Sequence, residues 1–167
     1  MQTFREIQPG EIAGNPFTLI GKDWMLVTAG DADKFNTMTA SWGGVGVLWN
    51  KNVVFTFIRP QRYTYEFIEK GDIFTLSFFD ESHRDALKFC GANSGRDVDK
   101  VKETGLTPVF KDGGVYFEEA KLVLVCRKLA CQDMDPAGFI DPSLAKNYAA
   151  GDYHRMYAAE ILKVYQK

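Results

Sequence analysis

Residues 59–64, with the sequence RPQRYT, carry the side chains best suited to binding an anion. Arg59 and Arg62 supply guanidinium groups that can donate charge-assisted, bidentate hydrogen bonds. Thr64 adds a hydroxyl, and the residues from Thr64 to Gly71 predict a short helix. A helix N-terminus presents free N–H groups and a favourable dipole to an anion. Phosphate binding and a solvated loop with a helix cap both fit this pattern, and either arginine is a candidate for the phosphate contact.

The segment NTMTASW, residues 36–42, combines small and hydroxyl-bearing residues that leave the backbone accessible. Alternate residues of a strand face opposite sides, so one face carries Thr37, Thr39 and Ser41 and the other carries Met38, Ala40 and Trp42. Backbone N–H groups and small hydroxyls can meet the polar edge of a flat ligand. A half-exposed strand with threonines that favour β structure is the alternative interpretation. Together with residues 59–64, the segment would suit a planar, phosphorylated ligand.

Asp152 and His154 are spaced so that both would point the same way from an extended strand. Such a pair can steer a proton or hold a carboxamide, and a surface histidine at a strand start is the alternative.

Ser94-Gly95-Arg96 begins a second predicted helix, where a capping box with Asp97 and ligand binding are equal interpretations. Cys90, before Gly91, fits a small core residue better than a redox thiol.

Composition restricts the class of protein. The chain has 167 residues, 46% of them hydrophobic, which predicts one globular domain over residues 1–167. A net charge of −2 argues against a nucleic-acid partner. Three cysteines without a CxxC motif predict reduced thiols in the cytoplasm. The charged N-terminus predicts no signal peptide, and the lack of an 18-residue apolar run predicts no transmembrane helix.

Short strands that are not regularly interrupted by helices predict an antiparallel barrel with a few flanking helices. Strands are expected at residues 17–20, 24–30, 37–42, 53–58, 74–79, 115–117, 122–129 and 156–164. A glycine-rich bend is expected directly after Trp42, over residues 43–46. Helices are expected after Thr64, over residues 84–90 and from Ser94 to Gly105. The sequence contains no GxGxxG motif for a Rossmann dinucleotide site, no P-loop, no GxSxG and no His/Cys cluster with metal spacing.

The order of these motifs resembles the flavin reductase-like family, and within it the chain is most similar to the flavoredoxin branch. The resemblance rests on residues 36–42, 59–64 and 74–78, on Cys90-Gly91 and Ser94-Gly95-Arg96, and on Gly151-Asp152-Tyr153-His154, and it covers nearly the whole chain. It implies an FMN-binding split barrel, a Greek-key antiparallel barrel that usually forms a homodimer with the flavin near the interface.

The resemblance implies an NAD(P)H-dependent oxidoreductase that passes electrons through FMN to a flavin, a metal ion or another acceptor. A flavoredoxin-type electron carrier with protein partners is the alternative, and a non-catalytic flavin-binding module is a third. The implied catalytic residues are His154 and Asp152, and no metal ligand is expected. The implied cofactor-binding residues are Asn36, Thr37, Met38, Thr39, Ala40, Ser41, Trp42, Arg59, Arg62, Tyr63, Thr64, Ser77 and Phe78, followed by Cys90, Gly91, Ser94 and Arg96. Ser77 would reach a ribityl hydroxyl.

Overall fold

The structure is a computed structural model that describes residues 3–167. Ten strands form in this part of the chain, and eight of them join in one antiparallel sheet. The strands are β1 (Arg5–Ile7), β2 (Met25–Gly30), β3 (Phe35–Ala40), β4 (Gly43–Leu48), β5 (Lys51–Ile58), β6 (Ile73–Phe78), β7 (Pro108–Lys111), β8 (Gly114–Phe117), β9 (Leu122–Asp133) and β10 (Arg155–Gln166).

The sheet order is β3-β2-β6-β9-β10-β5-β4, with β1 paired to β10 and β7-β8 forming a separate hairpin. Its strands are rich in β-branched and aromatic residues, which pack well on a pleated surface. β3 and β4 are consecutive in the chain but lie at the two ends of this order. Ser41 and Trp42 connect them, so these two residues join the two sheet edges.

Two clusters of buried side chains fill the fold. The larger one includes Met25, Ile58, Phe74 and Tyr157, drawn from β2, β5, β6 and β10. The second packs Leu87 and its neighbours on the helices against the outer faces of the strands and against the β7-β8 hairpin. Burial of these apolar side chains is the main stabilising contribution to the fold.

Four short α-helices flank the sheet: α1 (Pro16–Thr18), α2 (Tyr63–Lys70), α3 (Arg84–Ala92) and α4 (Lys100–Thr104). A Cβ at Gly91 would lie 3.3 Å from Thr39 Cβ, so glycine at this position allows α3 to pack closely on β3. α2 follows β5, and its first residues reach the same end of β3. Within residues 3–167, no helix is long and apolar enough to cross a membrane.

The mainly antiparallel β architecture expected from the sequence is confirmed, and three local predictions are wrong. Residues 17–20 are helical because Asn15 accepts a hydrogen bond from Phe17 N and Pro16 begins the turn. The predicted glycine-rich bend after Trp42 is β4, which pairs with β5 over its whole length. The predicted capping box at Ser94 is absent, since the helix begins at Lys100 with Asp99 as its N-cap.

Candidate functional site

Two neighbouring cavities lie where β3, α2, α3 and the segment before β10 meet. The first, here called the cationic cavity, has a volume of about 200 Å³ and is lined by Asn36, Met38, Gln61, Arg62, Tyr63, Thr64, residues 91–95 and Lys100. The second, here called the aromatic cavity, has a volume of about 190 Å³ and is lined by residues 38–42, Phe57, Arg59, Arg62 and His154. Met38 and Arg62 line both, so the two cavities adjoin.

Two cations lie in the cationic cavity. Lys100 is only 6% exposed, and its ammonium donates hydrogen bonds to Thr37 O at 2.7 Å and Cys90 O at 2.8 Å. Arg62 donates to Gly91 O at 3.1 Å and to Cys90 O at 3.5 Å. Within residues 3–167, neither cation has a carboxylate oxygen within 4.0 Å. One buried and one partly buried positive charge therefore lie in this cavity without a counter-ion.

Burial shifts the acid–base equilibria of this cavity. The pKa of Lys100 is lowered to about 8, chiefly by loss of solvation and to a lesser extent by the nearby Arg62 charge, against an opposing effect of Cys90. Burial, followed by repulsion from Arg59, lowers the pKa of Arg62. Both shifts express the cost of holding a cation in a low-dielectric site. A bound anion would relieve that cost.

The first turn of α2 faces the same cavity. Arg62 is the N-cap residue, but its side chain does not cap the helix, and Tyr63 and Thr64 line the cavity. Thr64 Oγ1 accepts a hydrogen bond from Asn36 Nδ2 at 2.8 Å, which leaves the hydroxyl proton available to a ligand. A Cβ at Gly95 would overlap Asn36 Oδ1, so glycine is required where this loop crosses β3.

The aromatic cavity has an exposed indole at its mouth and a buried imidazole in its wall. Trp42 is 48% exposed, and its ring centroid lies 5.3 Å from that of His154. His154 Nδ1 lies 2.7 Å from the Tyr148 hydroxyl. Burial, followed by the Arg59 charge, lowers the pKa of His154 to about 4 against an opposing effect of Asp152. The imidazole is therefore neutral at pH 7.

The predicted Asp152–His154 pair does not form. Asp152 instead accepts hydrogen bonds from Arg59 and from Gln61, because β10 begins only at Arg155 and residues 152–154 do not alternate as a strand. Arg59 also donates to Asn147 O at 2.9 Å. Arg59 is thus neutralised by a carboxylate and lines only the aromatic cavity, which separates its role from that of Arg62.

Several other predicted site residues lie away from both cavities or use their side chains internally. Ser77 and Phe78 are 0% and 2% exposed on β6, a central strand of the sheet. Thr37 is buried and its hydroxyl lies 2.8 Å from that of Thr28. Arg96 pairs with Glu66 and lies over the Tyr63 ring. Tertiary contacts thus take the polar groups of Thr37 and Arg96, whereas the Ser77 hydroxyl is buried in the sheet without a hydrogen-bond partner among the described residues.

Cys90 is a core residue, as its sequence context favoured. Its thiol is 0% exposed, and burial raises its pKa to about 11 despite the opposing charges of Lys100 and Arg62. A thiolate is therefore disfavoured. Its backbone carbonyl, in contrast, accepts from both cations. The predicted residues that do line the cavities are Asn36, Met38, Thr39, Ala40, Ser41, Trp42, Arg59, Arg62, Tyr63, Thr64, Gly91, Ser94 and His154.

Two residues at the site, Lys100 and Tyr148, were not predicted from the sequence. Lys100 and Lys102 stand two residues apart in DVDKVK, and both look like solvated charges at a helix start. Only the packing of α4 on α3 and β3 distinguishes them, since Lys100 is buried and Lys102 is exposed. Tyr148 lies in a segment whose prolines and glycines predict irregular structure. No local signal marks either residue.

Comparisons with known proteins agree with this geometry. The sequence model described as Flavin reductase like domain matches residues 18–167. No curated protein matches the chain. The solved structures that share the fold include three flavin-related proteins. A flavoredoxin from Methanosarcina acetivorans is 20% identical, with a TM-score of 0.67 over 87% of this chain and 68% of that one. An FMN-binding domain of a flavin reductases-like enzyme from Shewanella baltica is 16% identical, with a TM-score of 0.71 over 98% of this chain and 77% of that one.

The third structure is an NADH:FAD oxidoreductase from Streptomyces globisporus in complex with NAD and FAD fragments. It is 14% identical, with a TM-score of 0.63 over 85% of this chain and 73% of that one. At these identities the likeness shows the fold alone. It confirms the predicted antiparallel split barrel with a few short helices.

Proposed function

The chain belongs to the flavin reductase-like family, and on this premise we propose that it is an FMN-dependent oxidoreductase with NAD(P)H as electron donor. Arg62, Lys100 and the first turn of α2 would hold the FMN phosphate. The residues that line the aromatic cavity would hold the isoalloxazine ring. The adjoining position of the two cavities supports one ligand with a charged end and a flat end.

One observation carries the proposal: the buried Lys100 and the partly buried Arg62 lie beside a helix N-terminus without a carboxylate partner. An unpaired buried charge is costly unless a partner neutralises it. A phosphate dianion supplies that charge and accepts hydrogen bonds from the guanidinium, the ammonium and the helix N–H groups together. The donor set therefore fits a phosphate.

The aromatic cavity fits the flat part of such a ligand. Residues 39–42 form part of its wall, and Trp42 and Phe57 add aromatic surface. When bound, FMN supplies the hydride and electron chemistry, which the side chains present cannot perform alone. The chain's own contribution is to place the ring and to present the neutral His154 to whatever binds beside it.

A homodimer is part of the proposal. Val45, Val47 and Trp49 are exposed on or beside β4, which is the last strand in the sheet order. An uncharged edge strand of this kind is a ready template for association. Sedimentation of the purified protein checks the oligomeric state.

The proposed function is tested by the absorbance of the FMN-loaded protein during anaerobic addition of NADH and then NADPH. Bleaching of the flavin band on either addition supports the reductase and identifies the donor. A band that persists with both nucleotides but bleaches with dithionite instead favours an electron carrier of the flavoredoxin type. Failure to bind FMN would reject both.

Replacement of His154 with alanine is expected to slow NAD(P)H oxidation while FMN stays bound. The residue lines the aromatic cavity but lies away from Lys100, so the phosphate contacts are unchanged. We expect a loss of roughly 10-fold or more in rate, equivalent to about 1.4 kcal/mol, which is the contribution of one hydrogen bond to the ligand. His83→Ala, outside both cavities, is the matched control. Equal rates for His154→Ala and wild type would remove the histidine from the mechanism.

Arg59 and Arg62 are expected to contribute differently to binding of the FMN phosphate. Arg62→Ala should weaken FMN binding by about 1.5–3 kcal/mol, the contribution of a hydrogen bond to a charged group. Arg59→Ala should leave the preference for FMN over riboflavin unchanged, because Arg59 is already paired with Asp152 and lines only the aromatic cavity. Titration of both variants with both flavins measures this. A larger loss of the FMN preference in Arg59→Ala would reverse the assignment.

A further inference from the structure

Tyr148 is buried beside His154 without lining either cavity. It is 7% exposed, and its hydroxyl lies 2.7 Å from His154 Nδ1 and 3.3 Å from Met134 Sδ. A tyrosine hydroxyl has one proton, so it can donate to only one of these two acceptors. The choice decides which nitrogen of the neutral imidazole carries its proton.

Donation to the imidazole is the stronger of the two bonds. The 2.7 Å between Tyr148 Oη and His154 Nδ1 is a normal hydrogen-bond distance, and an unprotonated imidazole nitrogen is a good acceptor. A thioether sulfur is only a weak acceptor. The Arg59 guanidinium lies 5.0 Å from the Tyr148 ring centroid, and a cation at this position strengthens the phenol as a donor. Nδ1 thus accepts, and the imidazole proton resides on Nε2.

Three contacts fix the Tyr148 ring. It stacks on Tyr153 with centroids 4.8 Å apart, lies 5.9 Å from the Phe139 ring, and lies against Arg59. Arg59 is in turn held by Asp152 and by Asn147 O. The tyrosine hydroxyl therefore has a defined position behind the histidine. Arg59 and Asp152 are the charged groups near His154, and the arginine opposes protonation of the ring.

We propose that Tyr148 is a positioning residue that holds His154 in the tautomer protonated at Nε2, so that the histidine donates a hydrogen bond into the aromatic cavity. Nε2 has no hydrogen-bond partner in the described part of the chain, whereas Nδ1 is committed to Tyr148. A carbonyl oxygen of the bound ligand is the matching acceptor. The choice of this acceptor rests on the proposed function, because the carbonyl oxygen would belong to the flavin ring or to the nicotinamide carboxamide.

The tautomer is measured on flavin-free protein labelled with ¹⁵N-histidine, by long-range ¹H–¹⁵N correlation at pH 7. Wild type is expected to show an unprotonated Nδ1 and a protonated Nε2 for His154. Tyr148→Phe removes the donor and should give a mixture of both tautomers. Tyr153→Phe, whose hydroxyl makes no hydrogen bond within residues 3–167, should keep the wild-type pattern. A wild-type proton on Nδ1, or an unchanged pattern in Tyr148→Phe, would overturn the inference.

A kinetic measurement separates positioning from simple packing. Tyr148→Phe keeps the ring and its stacking, so thermal stability and FMN affinity should stay close to wild type. The rate of NAD(P)H oxidation should fall about 10-fold, equivalent to ~1.4 kcal/mol in the barrier. An unchanged rate would refute the positioning role. Because the tautomer is read without flavin or nucleotide, failure of the proposed function would leave that result intact, and the two failures are distinguishable.

Discussion

Lys100→Met is expected to weaken FMN binding by about 1.5–3 kcal/mol, or roughly 10- to 150-fold, while riboflavin binding stays near the wild-type value. The side chain keeps its length but loses the ammonium that would bond a phosphate oxygen. Riboflavin has no phosphate, so the ratio of the two affinities isolates this contact. Fluorescence titration of the flavin-free variant with each ligand gives the ratio.

Lys102→Met is the matched control for this experiment. It lies on the same helix, and its side chain is exposed, so both flavins should bind as in wild type. The flavin-free Lys100→Met protein should also keep its stability within about 1 kcal/mol, since relief from burying a charge offsets two lost hydrogen bonds to carbonyls. Parallel losses of FMN and riboflavin affinity in a folded Lys100→Met protein would mean that Lys100 supports the fold instead of the phosphate.

FMN affinity is expected to fall as the pH rises above 8. The pKa of Lys100 is lowered to about 8 by burial, so the free site loses its ammonium charge above that pH. A phosphate monoester is already a dianion there, since its second pKa is about 6. Binding must then take up one proton, and affinity should drop about tenfold per pH unit, the equivalent of 1.36 kcal/mol. Titrations between pH 7 and 9.5 measure this slope.

The pH range of the effect distinguishes Lys100 from the other titratable side chains at the site. His154, with a pKa lowered to about 4, has lost its proton well below this range. Cys90, with a pKa raised to about 11, stays protonated across most of it. Lys100→Met should therefore bind FMN weakly with a nearly flat profile between pH 7 and 9.5. An equally steep profile in Lys100→Met would assign the titration to a different group.

The fold was predictable because its strands have strong local signatures. Residues 53–58 and 122–129 are rich in β-branched and apolar side chains, and they form most of β5 and much of β9. β4 was missed because Gly43, Gly44 and Gly46 favour a bend locally, and only pairing with β5 makes them a strand. The strand predicted at residues 17–20 is wrong for the opposite reason, because Asn15 and Pro16 provide a helix start that outweighs the apolar pattern.

Site residues could be predicted where their role depends on the local sequence. They could not be predicted where their role depends on contacts with residues distant in the chain. Arg62 and Thr64 lie directly before and within the first turn of α2, so a local pattern finds them. Arg59 has the same local signal, but Asp152 neutralises it from 93 positions away. Burial of Lys100 is likewise decided by α3 and β3. Sequence can show which donors exist, whereas tertiary contacts determine which of them remain for a ligand.

The most direct test is a comparison of FMN and riboflavin binding to flavin-free wild-type protein at pH 7.5, by titration under identical conditions. Lys100 is buried and Arg62 is partly buried. Because each should contribute about 1.5–3 kcal/mol to phosphate binding, we expect FMN to bind at least roughly 100-fold more tightly than riboflavin. Equal affinities would contradict the account, because the charges of Arg62 and Lys100 would then serve something other than a phosphorylated flavin.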